Sequence, residues 1–348
     1  MRLLTTLLFS IAIPLFAQPE VHADRRVTFR IEAPRAGDVS FFGDWMPVGK
    51  PAPMVKDAKG VWSVTLGPLT PGDYIYSYTV DGVTIADPIH PRVKLRARTV
   101  ASMVEVPAPT PAVWEPRDVP HGSVDVNWQK SAVLGDTRWI WVYTPPGYEK
   151  SKAKYPVLYL FHGSNDTAGG WVLAGHANFI LDNLIAEKKA TPMIVVMPFG
   201  HAVPFGSPRE VQATNVAKYE EYILKDVMPM VNGKYRVETS RARTAIAGLS
   251  MGGGQSLAIG FKHVDKFSAI GAFSAAAPAE LPLEGAIAKK PLIWFACGKD
   301  DTLVKRNEDL AALLKSKGIA HTYQTTEGNH TYAVWRRYLA EFAPLLFK

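Results

Sequence analysis

A small all-β unit followed by a larger α/β unit is the architecture this sequence predicts, and three observations predict it. Residues 24–106 hold short stretches of period-two apolar alternation cut by turn formers, without helical periodicity. Residues 119–348 instead alternate continuous apolar runs with helix-compatible segments, the pattern of a mainly parallel sheet covered on both faces. Between them, Pro107-Ala108-Pro109-Thr110-Pro111-Ala112 has no apolar period, so 107–118 reads as a semi-rigid linker.

Composition sets the outer limits. A chain of 348 residues that is 47% apolar has enough hydrophobic surface for two cores. Its first 17 residues carry one arginine and then an apolar run broken by Pro14. That run is too short for a bilayer and reads as a secretory signal, with cleavage after Ala17 or Ala23. We take 1–23 as the leader and expect a secreted or periplasmic protein with no membrane span after cleavage. The single cysteine, Cys297, excludes an internal disulfide and sits in an apolar run where it reads as a small buried hydrophobe. The net charge of +7 fits an acidic polymer or nothing in particular, and no basic run with interleaved aromatics argues for nucleic acid. No residue cluster has metal-ligand spacing, so neither metal nor cofactor is expected.

In the first unit, 26–31, 61–66 and 74–80 alternate at period two, and Pro34–Gly37, Pro71-Gly72 and Asp81-Gly82 supply the turns. This pattern predicts an immunoglobulin-like β-sandwich. The wording Phe42-Gly43-Asp44-Trp45, Gly60-Val61-Trp62, Pro71-Gly72-Asp73-Tyr74 and Asp87-Pro88 resembles the early-set sandwich ahead of isoamylases, branching enzymes and some esterases, which is related to glycogen-binding modules. The resemblance implies glycan binding through exposed aromatics such as Trp45. Packing of Trp45 and Trp62 in the sandwich core is the preferred reading, since aromatics mostly serve burial.

In the second unit, strand-like runs cover 122–128, 137–143, 156–161, 193–197, 291–297 and 320–324. Helical segments are expected at 179–188, 218–231 and 307–316. The stretch that organises them is 244–254, an apolar run that breaks at Gly248-Leu249-Ser250-Met251-Gly252 and continues as a small-residue helix. Strand, sharp turn and helix with a serine at the apex is the context in which G-x-S-x-G exposes a nucleophile, flanked by glycines because no β-carbon fits. With the alternating elements, this predicts an α/β-hydrolase architecture with Ser250 as nucleophile. A serine needs a base, and the base needs an orienting carboxylate; in this fold they follow the serine in the order carboxylate, then histidine, each on a loop past a strand. The loop after 291–297 offers Asp300 and Asp301, and the loop after the last strand offers His330. The oxyanion donors expected are the Met251 N–H at the helix start and the backbone N–H of Gly163 or Ser164 after the 156–161 strand. His162 is expected to brace that loop. Trp171 is placed either along the acyl pocket, as a substrate contact, or over the core, and Trp335 behind the triad.

Tyr143-Thr144-Pro145-Pro146-Gly147-Tyr148, Leu160-Phe161-His162-Gly163, Ala247-Gly248-Leu249-Ser250-Met251-Gly252, Gly298-Lys299-Asp300-Asp301 and Gly328-Asn329-His330 together resemble the bacterial feruloyl and acetyl-xylan esterases of the esterase-D superfamily. That resemblance covers 119–348 and selects Asp301, the fourth residue of a Gly-x-x-Asp loop. Gly328-Asn329-His330 departs slightly from the family's usual Gly-Gly-His. It implies a Ser-His-Asp esterase acting on plant xylan, foremost on feruloyl esters, with feruloylated or acetylated polysaccharide as partner. Acetyl-xylan and ferric-siderophore esters are the alternative substrates, and a non-catalytic glycan-binding protein is the alternative class.

Overall fold

A computed structural model describes residues 19–348. Most of the expected leader, 1–18, lies outside the described residues. The chain forms two compact units: residues up to Lys94 with Val100–Pro107, and Leu95–Thr99 with Ala108–Lys348.

In the first unit, alternation builds two antiparallel sheets. One orders Glu20–Val21, Val27–Glu32, Val61–Leu66 and Val55–Lys56 side by side. The other runs through Ala52–Pro53, Val39–Gly43, Gly72–Val80, Val100–Val106 and Val93–Leu95. Because side chains alternate faces along a strand, Val27, Phe29 and Ile31 all point inward and are buried. Phe29 meets Phe41 at 4.2 Å and Tyr76 at 4.9 Å between ring centres, which fixes an aromatic core. Trp62 is buried with its indole N–H donating to the Ala33 carbonyl at 2.9 Å, and Trp45 stacks half-buried on Phe29 at 6.1 Å. Both tryptophans thus serve packing. Glu20 pairs with Thr28 across the sheet and bonds Arg30 at 2.7 Å, so the ordered unit starts before residue 24.

The second unit is one eight-stranded sheet. Its strands lie in the order Ser123–Lys130, Thr137–Thr144, Ile194–Pro198, Val157–Phe161, Thr244–Leu249, Ala269–Phe273, Leu292–Gly298 and Thr322–Thr326. The first two pairings are antiparallel through Ile194–Pro198; the rest are parallel. Every residue of Val157–Phe161, Ile194–Pro198 and Ala269–Phe273 is buried, as strands covered on both faces require. The chain places Ile194–Pro198 on one side of Val157–Phe161 and Thr244–Leu249 on the other. Strand order therefore reverses at the end of Val157–Phe161, which opens a crevice at the carboxyl ends of the strands.

The expected helix at 218–231 is helix Asn215–Tyr222, a π turn at Ile223–Val227 and helix Met228–Lys234 in one run. The last strand begins at Thr322, two residues later than expected, after the turn at Lys317-Gly318 and three irregular residues. Residues 111–117 are not a free spacer. The Asn183 amide donates to the carbonyls of Val113 and Glu115 at 2.8 and 2.9 Å, and Arg117 bonds Glu187 at 2.7 Å. Sequence could not reveal this docking, because the acceptors are backbone carbonyls and the donors lie about seventy residues away. Among the described residues, no helix is long and apolar enough to cross a membrane.

Candidate active site

Ser250 stands between strand Thr244–Leu249 and helix Met251–Lys262 with φ 53° and ψ −116°, a left-handed conformation an L-residue adopts only under constraint. The constraint is visible on three sides. The Ser250 N–H donates to Phe273 at 2.9 Å, and its carbonyl accepts from Gly254 at 3.0 Å and Ala276 at 2.9 Å. A β-carbon on Gly248 would lie 2.5 Å from the Gly252 carbonyl, and one on Gly252 would lie 2.6 Å from the carbonyl oxygens of Phe161 and His162. Both glycines are there because the elbow is pressed between its own helix and the neighbouring strand end.

The structure brings His330 and Asp301 to this serine. His330 Nε2 lies 2.9 Å from Ser250 Oγ, and His330 Nδ1 lies 2.7 Å from Asp301 Oδ2. A carboxylate only accepts, so Nδ1 carries the proton and Nε2 faces the serine hydroxyl as an acceptor. Asp301 Oδ1 accepts the Leu303 N–H at 2.8 Å, which locks the carboxyl plane. Burial works against ionisation of Asp301, yet the His330 hydrogen bond and charge and the Leu303 N–H together hold its carboxyl below the usual value. Asp300 is exposed, with its N–H on the Gly328 carbonyl at 3.1 Å, so of the two aspartates only Asp301 reaches the imidazole. The Trp335 ring stands edge-on behind His330 at 4.9 Å and 89°. Cys297 lies buried at the end of the strand beneath Asp301, where burial first, and the Asp301 charge next, push its thiol up to about 12.

The loop after Val157–Phe161 lies against the serine. A β-carbon on Gly163 would meet Leu249 Cδ1 at 2.8 Å and Ser250 Cβ at 3.3 Å, so glycine permits the approach. Two imidazoles hold the next two carbonyls. Gly200 N–H donates to His162 Nε2 at 2.8 Å, which puts the proton on Nδ1, and Nδ1 donates to the Gly163 carbonyl at 2.7 Å. His201 Nε2 donates to the Ser164 carbonyl at 2.8 Å, and burial lowers its pKa and keeps it neutral. In a trans peptide the N–H points opposite the carbonyl, so holding the Gly163 carbonyl fixes the direction of the Ser164 N–H. Met251 is the first residue of its helix, where an N–H has no acceptor within the helix.

Three placements differ from what the sequence suggested or went unseen by it. Trp171 is fully buried, its N–H on the Phe161 carbonyl at 2.9 Å and its ring edge against Phe273 and Tyr332. It presents no surface to a substrate, which corrects the expectation of a pocket wall and leaves the core reading: the indole packs against the loop after Phe161. The loop is also tied to the histidine's helix, since buried Tyr332 donates to Asp166 and Arg336 Nε donates to the Ala174 carbonyl at 2.8 Å. Gly200 and His201 were likewise missed. Their one sequence signal is position, directly past the apolar 193–197 run.

An eight-stranded, mostly parallel sheet with a serine at a strand–helix elbow and a histidine and aspartate past later strands is an α/β-hydrolase fold. Residues 131–346 match the family described as putative esterase, and the chain belongs to that family. An endo-1,4-beta-xylanase/feruloyl esterase of Xylanibacter ruminicola is 32% identical over 343 residues, 95% of this chain and 46% of that protein. An acetyl esterase of Caldicellulosiruptor saccharolyticus is 28% identical over 53% of this chain and 80% of its own length. The chain thus spans about half the length of the first of these relatives. Among solved structures, a ferulic acid esterase at 29% identity covers 65% of this chain and 97% of its own, with a TM-score of 0.57. An enterochelin esterase of Shigella flexneri matches 95% of both chains at a TM-score of 0.72 and 17% identity, a likeness of fold. These relatives are carboxylic ester hydrolases by name, and they bear out the kinship with feruloyl and acetyl esterases.

Proposed function

We propose that this chain is an exported serine esterase that removes acyl groups, foremost feruloyl, from plant xylan. The observation that carries the chemistry is the unbroken hydrogen-bonded line Ser250–His330–Asp301 at the crevice of the sheet. In this reading His330 Nε2 takes the Ser250 proton as Oγ adds to the ester carbonyl. The oxyanion is held by N–H groups of Met251 and of the 163–164 segment, donors already oriented before reaction. Collapse expels the sugar alkoxide, which takes the proton from His330 and leaves an acyl-enzyme. Water, deprotonated by the same imidazole, then attacks the acyl carbon and frees the acid while Ser250 recovers its proton. Asp301 keeps Nδ1 protonated throughout and stabilises the imidazolium that forms.

The substrate reading is supported by the 32% identity, across nearly the whole chain, to a protein named for xylanase and feruloyl esterase activity. The apolar leader supports an exported location. The two-sheet arrangement around Phe29, Phe41 and Tyr76 supports an immunoglobulin-like early-set module in the first unit. The test is release of acid from methyl ferulate and from acetylated xylan, with Ser250→Ala as the blank. Turnover of at least one, with a loss of about 10⁴-fold or more in the alanine variant and an unchanged melting curve, is expected. Comparable activity in that variant would remove Ser250 from the mechanism, and acetate release alone would keep the mechanism and change the acyl group.

A further inference from the structure

Trp128 lies on the outermost strand of the catalytic sheet and is 68% exposed. A lone exposed apolar residue is ordinary and a contiguous patch marks a contact site, so what surrounds Trp128 decides. It is not solitary. Its ring stacks on Trp139 of the next strand at 5.7 Å and 29°, Trp139 meets Phe199 edge to face at 6.4 Å, and Phe199 stacks on His162 at 5.5 Å and 28°. The register explains the row. Trp128 and Trp139 are direct cross-strand partners, while Phe199 and His162 each follow the last residue of the next two strands inward. The strand after those ends at Ser250. The row therefore crosses the strand ends over four interstrand spacings, about 19 Å. Trp128 is exposed, Trp139 and Phe199 are half-buried and His162 is buried, so the rings sink progressively toward the serine.

We propose that the exposed faces of Trp128, Trp139 and Phe199 form the subsite for the saccharide chain that bears the ester, with the Trp128–Trp139 pair as its outer platform and buried His162 as support beneath. The proposal rests on the glycan-ester reading above and deepens it. A pyranose ring has a flat face of slightly positive C–H groups, which complements the negative face of an indole. The shape argues the same way. Val126 is 43% exposed beside Trp128, His201 branches from Phe199 at 5.4 Å between ring centres with Phe205 a further 4.3 Å from His201, and the outer strand also exposes the charged Asp125 and Lys130. A stable protein interface needs about 800 Å² from each partner; a row of rings broken by charges and leading toward the reacting atoms suits a chain of uncharged sugar rings.

The full chain is assayed on two substrates, methyl ferulate and a feruloylated arabinoxylan oligosaccharide. Trp128→Ala is expected to raise KM for the oligosaccharide about fivefold to tenfold with kcat unchanged, and to leave methyl ferulate within about twofold. Trp128→Phe should restore most of the loss, because it keeps a stacking face. An exposed edge position tolerates both substitutions, and unchanged melting curves verify this. Equal effects on both substrates, or none on either, would overturn the subsite. So would a wild-type dimer that Trp128→Ala dissociates, since the platform would then be covered by a second copy. If the wild type cleaves methyl ferulate but not the oligosaccharide, the glycan-ester reading itself fails, and the subsite with it.

Discussion

Replacing Asp301 with asparagine exchanges one carboxylate oxygen for an NH₂ group and reverses one hydrogen bond. In the native site Oδ1 accepts the Leu303 N–H at 2.8 Å and Oδ2 accepts from His330 Nδ1 at 2.7 Å. An amide has one accepting oxygen and one donating NH₂. The Leu303 N–H is a fixed backbone donor, so it selects the rotamer that presents the amide oxygen to it. The NH₂ is then left facing Nδ1, which must become the acceptor, and the ring proton moves to Nε2. Nε2 is the atom 2.9 Å from Ser250 Oγ, and once protonated it cannot take the hydroxyl proton. A base held in the wrong tautomer costs about 10⁴ in kcat, or about 5.5 kcal/mol of barrier. Volume and packing barely change, so the melting temperature should stay within a few degrees. The assay is kcat on methyl ferulate for Asp301→Asn beside a thermal melt. Activity within about tenfold of wild type in a folded variant would refute the argument, for it would mean that the carboxylate does not set the tautomer.

Two further outcomes follow from packing and burial. Gly252→Ala puts a β-carbon 2.6 Å from two backbone carbonyl oxygens, so backbone must shift at both the elbow and the 162–163 loop. A loss of about 1–3 kcal/mol is expected, with activity falling more than stability; a wild-type melt and rate would contradict the close approach. Cys297, buried with its thiol pushed up to about 12, should resist iodoacetamide at neutral pH until the protein unfolds. Rapid labelling of the native protein would refute that placement.

The order of the candidate site was legible because most of its residues carry a local signature. Gly248-Leu249-Ser250-Met251-Gly252 encodes its turn in the two glycines whose β-carbons would not fit, and the apolar run 291–297 marks the loop of Asp301, whereas the strand before His330, Thr322–Thr326, is polar and the histidine is singled out only by its place past that strand. Period-two alternation at Val27, Phe29 and Ile31 sufficed to call a sheet, because inward and outward positions are set by the strand itself. The choice between Asp300 and Asp301 was a different matter. Composition and spacing left both open; the turn Gly298–Asp301 buries one carboxyl against the imidazole and leaves the other in solvent.

What only the tertiary structure decided depends on partners far apart in sequence. Trp171 read equally well as pocket wall or core, and it is core because Phe273 and Tyr332, more than a hundred residues on, close over it. The histidine clamp on the 163–164 loop required Gly200 and His201 to arrive from the neighbouring strand, and the aromatic row required four strands to line up in register. A sequence determines which residues are strained, apolar or reactive through their immediate neighbours. Which of them meet is set by strand order, and strand order is a property of the folded sheet.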